Sequence, residues 1–566
     1  MILYPCDGPA DSAKVATTAG LEAYMKTFSG NIVDVVNGEI FPGTIKVKHG
    51  KIHDIRRNNQ TYQHFITPGF IDSHVHIESS MMPPSELARI AVAHGTVAAV
   101  CDPHEIANVL GVQGVRYMME NAAGTPLKFY FSAPSCVPAT TFETSGARLT
   151  LEDTETLLEM PEIKFLGEMM NFPGVLYDDP EVLKKLEMAK AHRKAIDGHS
   201  PGLGGDDLKK YIAAGITTDH ECFTMDEALE KLSLGMKILI REGSAVKNFD
   251  DLIPIADVHY KNCMFCSDDK HPDDLQKGHI NDLVKRALGT GLDKMKVLRM
   301  ACINPVTHYG LDVGYLKKGD PADFLIIDDF ERLQIRQTVI QGVIVAENCR
   351  SRLPRKPAGI IKRFAANPKK PEDFSVPHKN RPVHIMDVID SQLITRKSSD
   401  TLASLNGYLT CNLEKDILKI AVVNRYEDRK PAIGFARNFG LKHGAIAGSI
   451  AHDSHNIIAV GTTDEEISSA VNLIIANKGG ICAVCETKNI REILPLPIAG
   501  LMSDEDFETV AGRYTRLDTL AKEMGSKLLA PFMTLSFMAL LVIPEIKLSD
   551  RGLFDGTRFE FMEIYA

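Results

Sequence analysis

The chain has 566 residues, 44% hydrophobic and 24% charged, with a net charge of −10. This is the composition of a soluble globular protein, which excludes collagen-like, coiled-coil and disordered classes. The acidic balance also excludes an overall cationic surface for polyphosphate. Nineteen His with no Trp is an unusual pairing. Eleven scattered Cys, an odd number, fit reduced thiols in a cytoplasmic protein better than a disulfide framework.

Met1 to Lys14 shows no basic-then-apolar signal pattern. From Asn31 to Ile55, β-branched runs separated by Gly38 and Gly50 predict short strands. The same texture returns at Asp323–Asp328 and Thr338–Val345. Residues 1–65 and 311–370 are therefore expected to form one small β domain around a long insert.

Within 66–310, eight short apolar runs recur, each followed by helix-like sequence. They are Phe70–Asp72, Val97–Cys101, Phe129–Phe131, Ile163–Leu166, Lys194–Ile196, Ile216–Thr218, Ile238–Ile240 and Cys263–Cys266. Their count and spacing predict an α/β fold of the (β/α)8 TIM-barrel type.

Residues 351–381 are rich in Pro, Lys and Arg and read as a connecting segment, so no nucleic-acid partner is expected. Beyond it, 371–566 reads as a third, α/β domain. One helix is predicted to start at Thr462 or Thr463, where Glu465 and Glu466 offer a capping box. Leu528–Ile543 is shorter than the roughly 18–20 residues of a membrane span and contains Pro531, Thr534 and Ser536. It reads as buried core, and no membrane partner is expected.

The sharpest chemical feature is His74-Val75-His76 at the end of the first run. Residues i and i+2 of a strand point to one side, and the C-terminal end of a barrel strand is where active sites form. Glu168, His199, His220 and Asp268 end the fourth, fifth, sixth and eighth runs. Any one of these alone reads as an ordinary core or surface residue. Six at the mouth ends of five strands argue for one site, and four imidazoles with two carboxylates suit Mn, Fe or Zn. Cys263/Cys266 and Cys482/Cys485 have zinc or redox spacing but sit in apolar runs, so packing is the better reading.

Pro68-Gly69-Phe70-Ile71-Asp72-Ser73-His74-Val75-His76 resembles the first-strand signature of the amidohydrolase superfamily, and more narrowly that of the adenine deaminases. The likeness runs through Cys101–Glu105, Gly167–Asn171, Asp197–His199, Asp219–Glu221 and Ser267–Asp269. Gly314–Asp323 resembles the superfamily's return into its small β domain, and His443–Ala447 with Ala451–Asn456 resembles the deaminases' extra C-terminal domain.

The resemblance implies a β-sandwich for the flanking domain and two divalent metals, Mn foremost, held by His74, His76, His199, His220, Glu168 and Asp268. Glu168 would bridge the metals, because Lys164 lies deeper in the strand; this argues against a dihydroorotase or hydantoinase. The implied reaction is attack of an activated water on C6 of adenine, with Asp268 as base and then acid and either Glu168 or Asp268 protonating N1. Glu78, His104, Glu105, His452 and His455 are candidate substrate contacts. Asp269 joins them, although strand alternation turns it away from Asp268 and makes it a supporting or helix-capping residue. The resemblance also suggests a homodimer.

Two other readings are weighed. A cytidine-type zinc deaminase needs His-x-Glu and a later Pro-Cys-x-x-Cys. His76-Ile77-Glu78 fits the first half, but Asn262 precedes Cys263 and the second half fails. A catalytically dead scaffold has no need of His199, His220 and Asp268 together. An amidohydrolase acting on another amino-purine, a pyrimidine or a cyclic amide is the remaining alternative.

Overall fold

The computed structural model describes residues 25–566; Met1 to Lys14 lies outside the described residues. Eight parallel strands organise the centre: β1 (Phe70–Val75), β2 (Thr96–Cys101), β3 (Lys128–Ala133), β4 (Ile163–Met169), β5 (Ala195–Gly198), β6 (Thr218–Asp219), β7 (Lys237–Arg241) and β8 (Cys263–Cys266). The first five form one parallel sheet in chain order and the last three another. Helices follow most of these strands and cover the sheets, so strands such as β2 and β8 are apolar and buried on both faces.

The two sheets approach each other at both edges. Val75 and Asp268 form a parallel bridge, and the Asp268 N–H donates to the His74 carbonyl at 3.0 Å. On the other side the Thr217 N–H donates to the Ile196 carbonyl at 3.0 Å. The C-terminal ends of β1, β4, β5, β6 and β8 thereby face one space.

An eight-stranded sheet is built from both flanks of this region. Lys26–Asp34, Glu39–Lys48, Lys51–Arg57 and Phe65–Pro68 share it with Phe324–Ile327, Ile335–Ile340, Val343–Glu347 and Arg350–Ser351. Phe65–Pro68 lies at its middle, parallel to Lys26–Asp34 on one side and antiparallel to Phe324–Ile327 on the other. Alternate residues such as Ile32, Ile45, Ile66, Phe324 and Val339 fill its core.

A second eight-stranded sheet spans Val383–Pro495. The helix Asp464–Asn477 packs on it through Ile467, Ala470, Val471 and Ile474. Thr463 caps this helix by accepting from the Glu466 N–H, a bond whose loss costs about 1 kcal/mol. Within Leu528–Ile543 lies the buried helix Pro531–Phe537, opened by its proline. No helix among the described residues is long and apolar enough to cross a membrane, and the ten described cysteines are unpaired.

Candidate active site

The strand ends bring His74, His76, Glu168, His199, His220 and Asp268 into one buried cluster. Glu168 stands at its centre. Its Oε1 lies 3.3 Å from His76 Nε2, while its Oε2 lies 2.9 Å from His199 Nδ1 and 3.0 Å from His220 Nε2. Asp268 Oδ1 is 3.3 Å from His76 Nε2, 3.7 Å from His74 Nε2 and 4.0 Å from His220 Nε2. One carboxylate thus shares its oxygens between two sets of imidazoles.

The sequence around Glu168 explains its placement. The Asp102 carboxylate, at the end of β2, accepts from the Glu168 N–H at 3.0 Å and from the Ser132 hydroxyl at 2.7 Å. A Cβ at position 167 would lie 2.4 Å from Asp102 Oδ2, so only glycine fits between the two acids. Burial alone would raise the Glu168 carboxyl, but the His220 and His199 charges outweigh it and hold the group well below the usual range.

Asp268 is steered by Arg241, which ends β7. Arg241 Nη1 donates to Asp268 Oδ2 at 2.7 Å, and Nη2 donates to Glu221 Oε2 at 2.8 Å. This leaves Asp268 Oδ1 facing the imidazoles. Burial opposes ionisation of Asp268, yet the Arg241 charge and the neighbouring histidines keep its carboxyl well below the usual range. His76 Nδ1 is fixed by the Asp102 carbonyl at 3.0 Å. Asp219 accepts from Lys231 Nζ at 2.7 Å and from the Ser200 N–H at 2.9 Å, tying the segments that carry His220 and His199 together.

The cluster fits divalent metal. His74 Nδ1 and His199 Nε2 are buried without a hydrogen-bond partner. His74 Nε2 and His76 Nε2 converge to 3.0 Å, and mixed imidazole and carboxylate donors are the set a borderline cation takes.

Above the cluster lies a second group. Ser79 Oγ donates to Glu105 Oε1 at 3.0 Å and also to Asp269 Oδ1. Glu105, Asp269 and His452 bring donor atoms close enough together to share a ligand. Glu78 accepts from the Ile106 N–H, and burial beside the Glu105 charge pushes its carboxyl up to about 8. His104 connects the groups: its Nδ1 is 3.6 Å from Glu168 Oε1 and its Nε2 is 3.7 Å from Asp453 Oδ1. His455 is fully buried, 3.9 Å from Glu105 Oε2, with both ring nitrogens unpartnered.

Asp269 lines the same cavity as Asp268. Asp268 has φ +51°, and this left-handed residue breaks the strand alternation that would have turned its neighbour away. Sequence reasoning missed Arg241, Glu221 and Asp453. The seventh run, like the second and third, ended without a ligand, so nothing in the sequence singled out Arg241; Glu221 adjoins a predicted ligand.

The roof of this cavity comes from the C-terminal region: Leu393, His452, Asp453, Phe537 and Leu540. A cleft of about 860 Å3 opens beside it, lined by Cys136, Thr140, Asn171 and Tyr177 among others, but it holds none of the clustered histidines.

The comparisons with known proteins agree with this geometry. Residues 65–345 match the amidohydrolase family, so fold and site define a metal-dependent hydrolase acting on C–N bonds. Residues 392–560 match the adenine deaminase C-terminal domain. An adenine deaminase from Sulfurovum sp. is 56% identical over 94% of this chain and 98% of its own length. One from Salinibacter ruber is 51% identical over 95% and 99%. The chain belongs to the adenine deaminase family. A solved β-aspartyl dipeptidase from Fervidobacterium islandicum AW-1 aligns with 59% of this chain and 100% of its own, at TM-score 0.45 and 14% identity.

Proposed function

We propose that this protein hydrolyses adenine to hypoxanthine and ammonia at the Glu168-centred cluster. The observation that carries the reading is the division of the Glu168 oxygens between His76 on one side and His199 with His220 on the other, in a chain of the adenine deaminase family.

Six residues, His74, His76, Glu168, His199, His220 and Asp268, would hold two divalent ions, with Mn ahead of Fe and Zn. Such ions, when bound, supply a water acidic enough to act as a nucleophile near neutral pH. Asp268 Oδ1, free of the Arg241 contact, takes the proton of the attacking water and returns it to the departing amine. The other proton of that water passes to N1 through a carboxylate facing the purine, the role assigned to Glu168 or Asp268. Glu78, Glu105, Asp269, His104, His452 and His455 present donors and acceptors to the purine edge from the other side of the cavity. Supporting a single closed (β/α)8 barrel are the Val75–Asp268 bridge and the Thr217–Ile196 hydrogen bond at the two sheet edges.

The deciding experiment measures ammonia and hypoxanthine from purified protein loaded with Mn. Adenine is expected to be turned over, with guanine, cytosine and adenosine far behind. No turnover of adenine overturns the proposal.

A further inference from the structure

Lys547 is completely buried and pairs with no carboxylate among the described residues. Its Nζ instead donates to two backbone carbonyls, Leu393 O at 2.6 Å and Phe537 O at 3.1 Å. The two acceptors lie far apart in the chain, one in the loop after the strand Val383–Val388 and the other at the end of the helix Pro531–Phe537. Both acceptor residues line the active-site cavity, and Phe537 packs on His452 with ring centroids 5.0 Å apart.

That cavity is narrow. Its free space is about 30 Å3, room for a water or two and too little for a purine. Seating a purine there calls for the roof residues to stand further apart than they do here, and holding them over it excludes water from the reacting atoms. The segment 537–548 and the loop around Leu393 are interlaced elsewhere: Thr395 N–H donates to Pro544 O at 3.1 Å, and Thr395 Oγ1 donates to Ile546 O at 2.7 Å. The Lys547 contacts tie together Leu393 and Phe537, two of the residues that line the cavity.

Resting on the adenine reading above, we propose that Lys547 is a positioning residue that draws Leu393 and Phe537 together over bound purine. An apolar side chain of similar size would avoid the cost of burying an amine, but it would leave the Leu393 carbonyl without a partner and the Phe537 carbonyl with only the Leu540 N–H, at 3.2 Å. Burial in this apolar setting lowers the amine to about 7. The neutral form keeps two N–H donors, one for each carbonyl, so the clamp persists on either side of that value.

The test compares the Mn-loaded full chain with Lys547→Met and with Lys419→Met. The second removes another buried lysine, paired with Asp464 on the C-terminal sheet away from the cavity. Lys547→Met is expected to raise KM for adenine about tenfold with kcat within about threefold. Amide exchange should quicken in 390–396 and 536–545, while Lys419→Met lowers Tm and leaves KM unchanged. An unchanged KM in folded Lys547→Met overturns the proposal, as does an equal rise in KM in Lys419→Met. Should Lys547→Met fail to fold, exchange in the wild type decides: hypoxanthine protecting both roof segments supports the clamp, and no protection overturns it. A wild type inactive on adenine instead overturns the substrate reading.

Discussion

Arg241 reaches from the end of β7 to the end of β8 and donates to Asp268 Oδ2 at 2.7 Å, holding one oxygen of the proposed proton carrier and leaving the other free. The contact sets both the direction and the charge of Asp268. Replacing Arg241 by Lys keeps a cation but loses the fork that binds Glu221 and Asp268 together. Arg241→Lys is expected to lower kcat/KM roughly 10–100-fold. Its sign on pH is also fixed: with a weaker hold the Asp268 pKa rises, so activity fails at a higher pH on the acid side than in the wild type. A pH profile of kcat/KM measures both effects, and an unshifted acid limb counts against the assignment.

Glu168→Gln removes the charge between the two imidazole sets. Metal analysis should show a fall from two ions per chain to one or fewer, and kcat should drop on the order of 10³-fold. Full activity with two ions retained would refute the bridging role. Chelation of the wild type should abolish turnover, and added Mn should restore it.

Gly167→Ala tests the packing beneath that carboxylate. The new methyl would meet Asp102 2.4 Å away, displacing the acid that holds the Glu168 N–H. A stability loss of about 1–3 kcal/mol is expected, read as a lower denaturant midpoint, together with a fall in kcat. A neutral outcome in both would mean that Asp102 moves without consequence.

Lys547 gives a pH signature of folding. Its pKa is about 7 in the folded protein and roughly 10.4 in an unfolded chain. Between those values the unfolded state binds the extra proton, so wild-type stability gains with rising pH, by at most about 1.4 kcal/mol per unit. Below pH 7 both states are protonated and the gain is absent. Denaturant midpoints for wild type and Lys547→Met should therefore diverge in favour of the wild type from pH 7 to 10. Parallel curves would contradict the lowered value.

Much of this site was legible because metal ligation and strand geometry impose local patterns. His74 and His76 share a strand face by a two-residue spacing, and Glu168, His199, His220 and Asp268 each close an apolar run, so a mouth of converging donors followed from parity and position. What was hidden depends on contacts with no local mark. Arg241 follows Ile238–Ile240 as any solvent-facing cation would, and only the fold reveals that it is buried between two acids. Alternation misdirected Asp269 because one left-handed residue reversed the count. The resemblance in 443–456 marked His452 and His455, but it said nothing of Leu393, Phe537 or Lys547. Their meeting joins segments more than a hundred residues apart, which no local pattern marks.

The flank-built sheet has a consequence for how the chain comes off the ribosome. Phe65–Pro68 has one neighbour already made, Lys26–Asp34, but its other neighbour, Phe324–Ile327, emerges only after all eight parallel strands. Until then a hydrogen-bonding edge stands open, a liability for intermolecular pairing. The first and last segments around the central region are thus sewn together at the end of its synthesis. Closure of that seam is a late, high-contact-order event, and it lies at the opposite end of the strands from the chemistry.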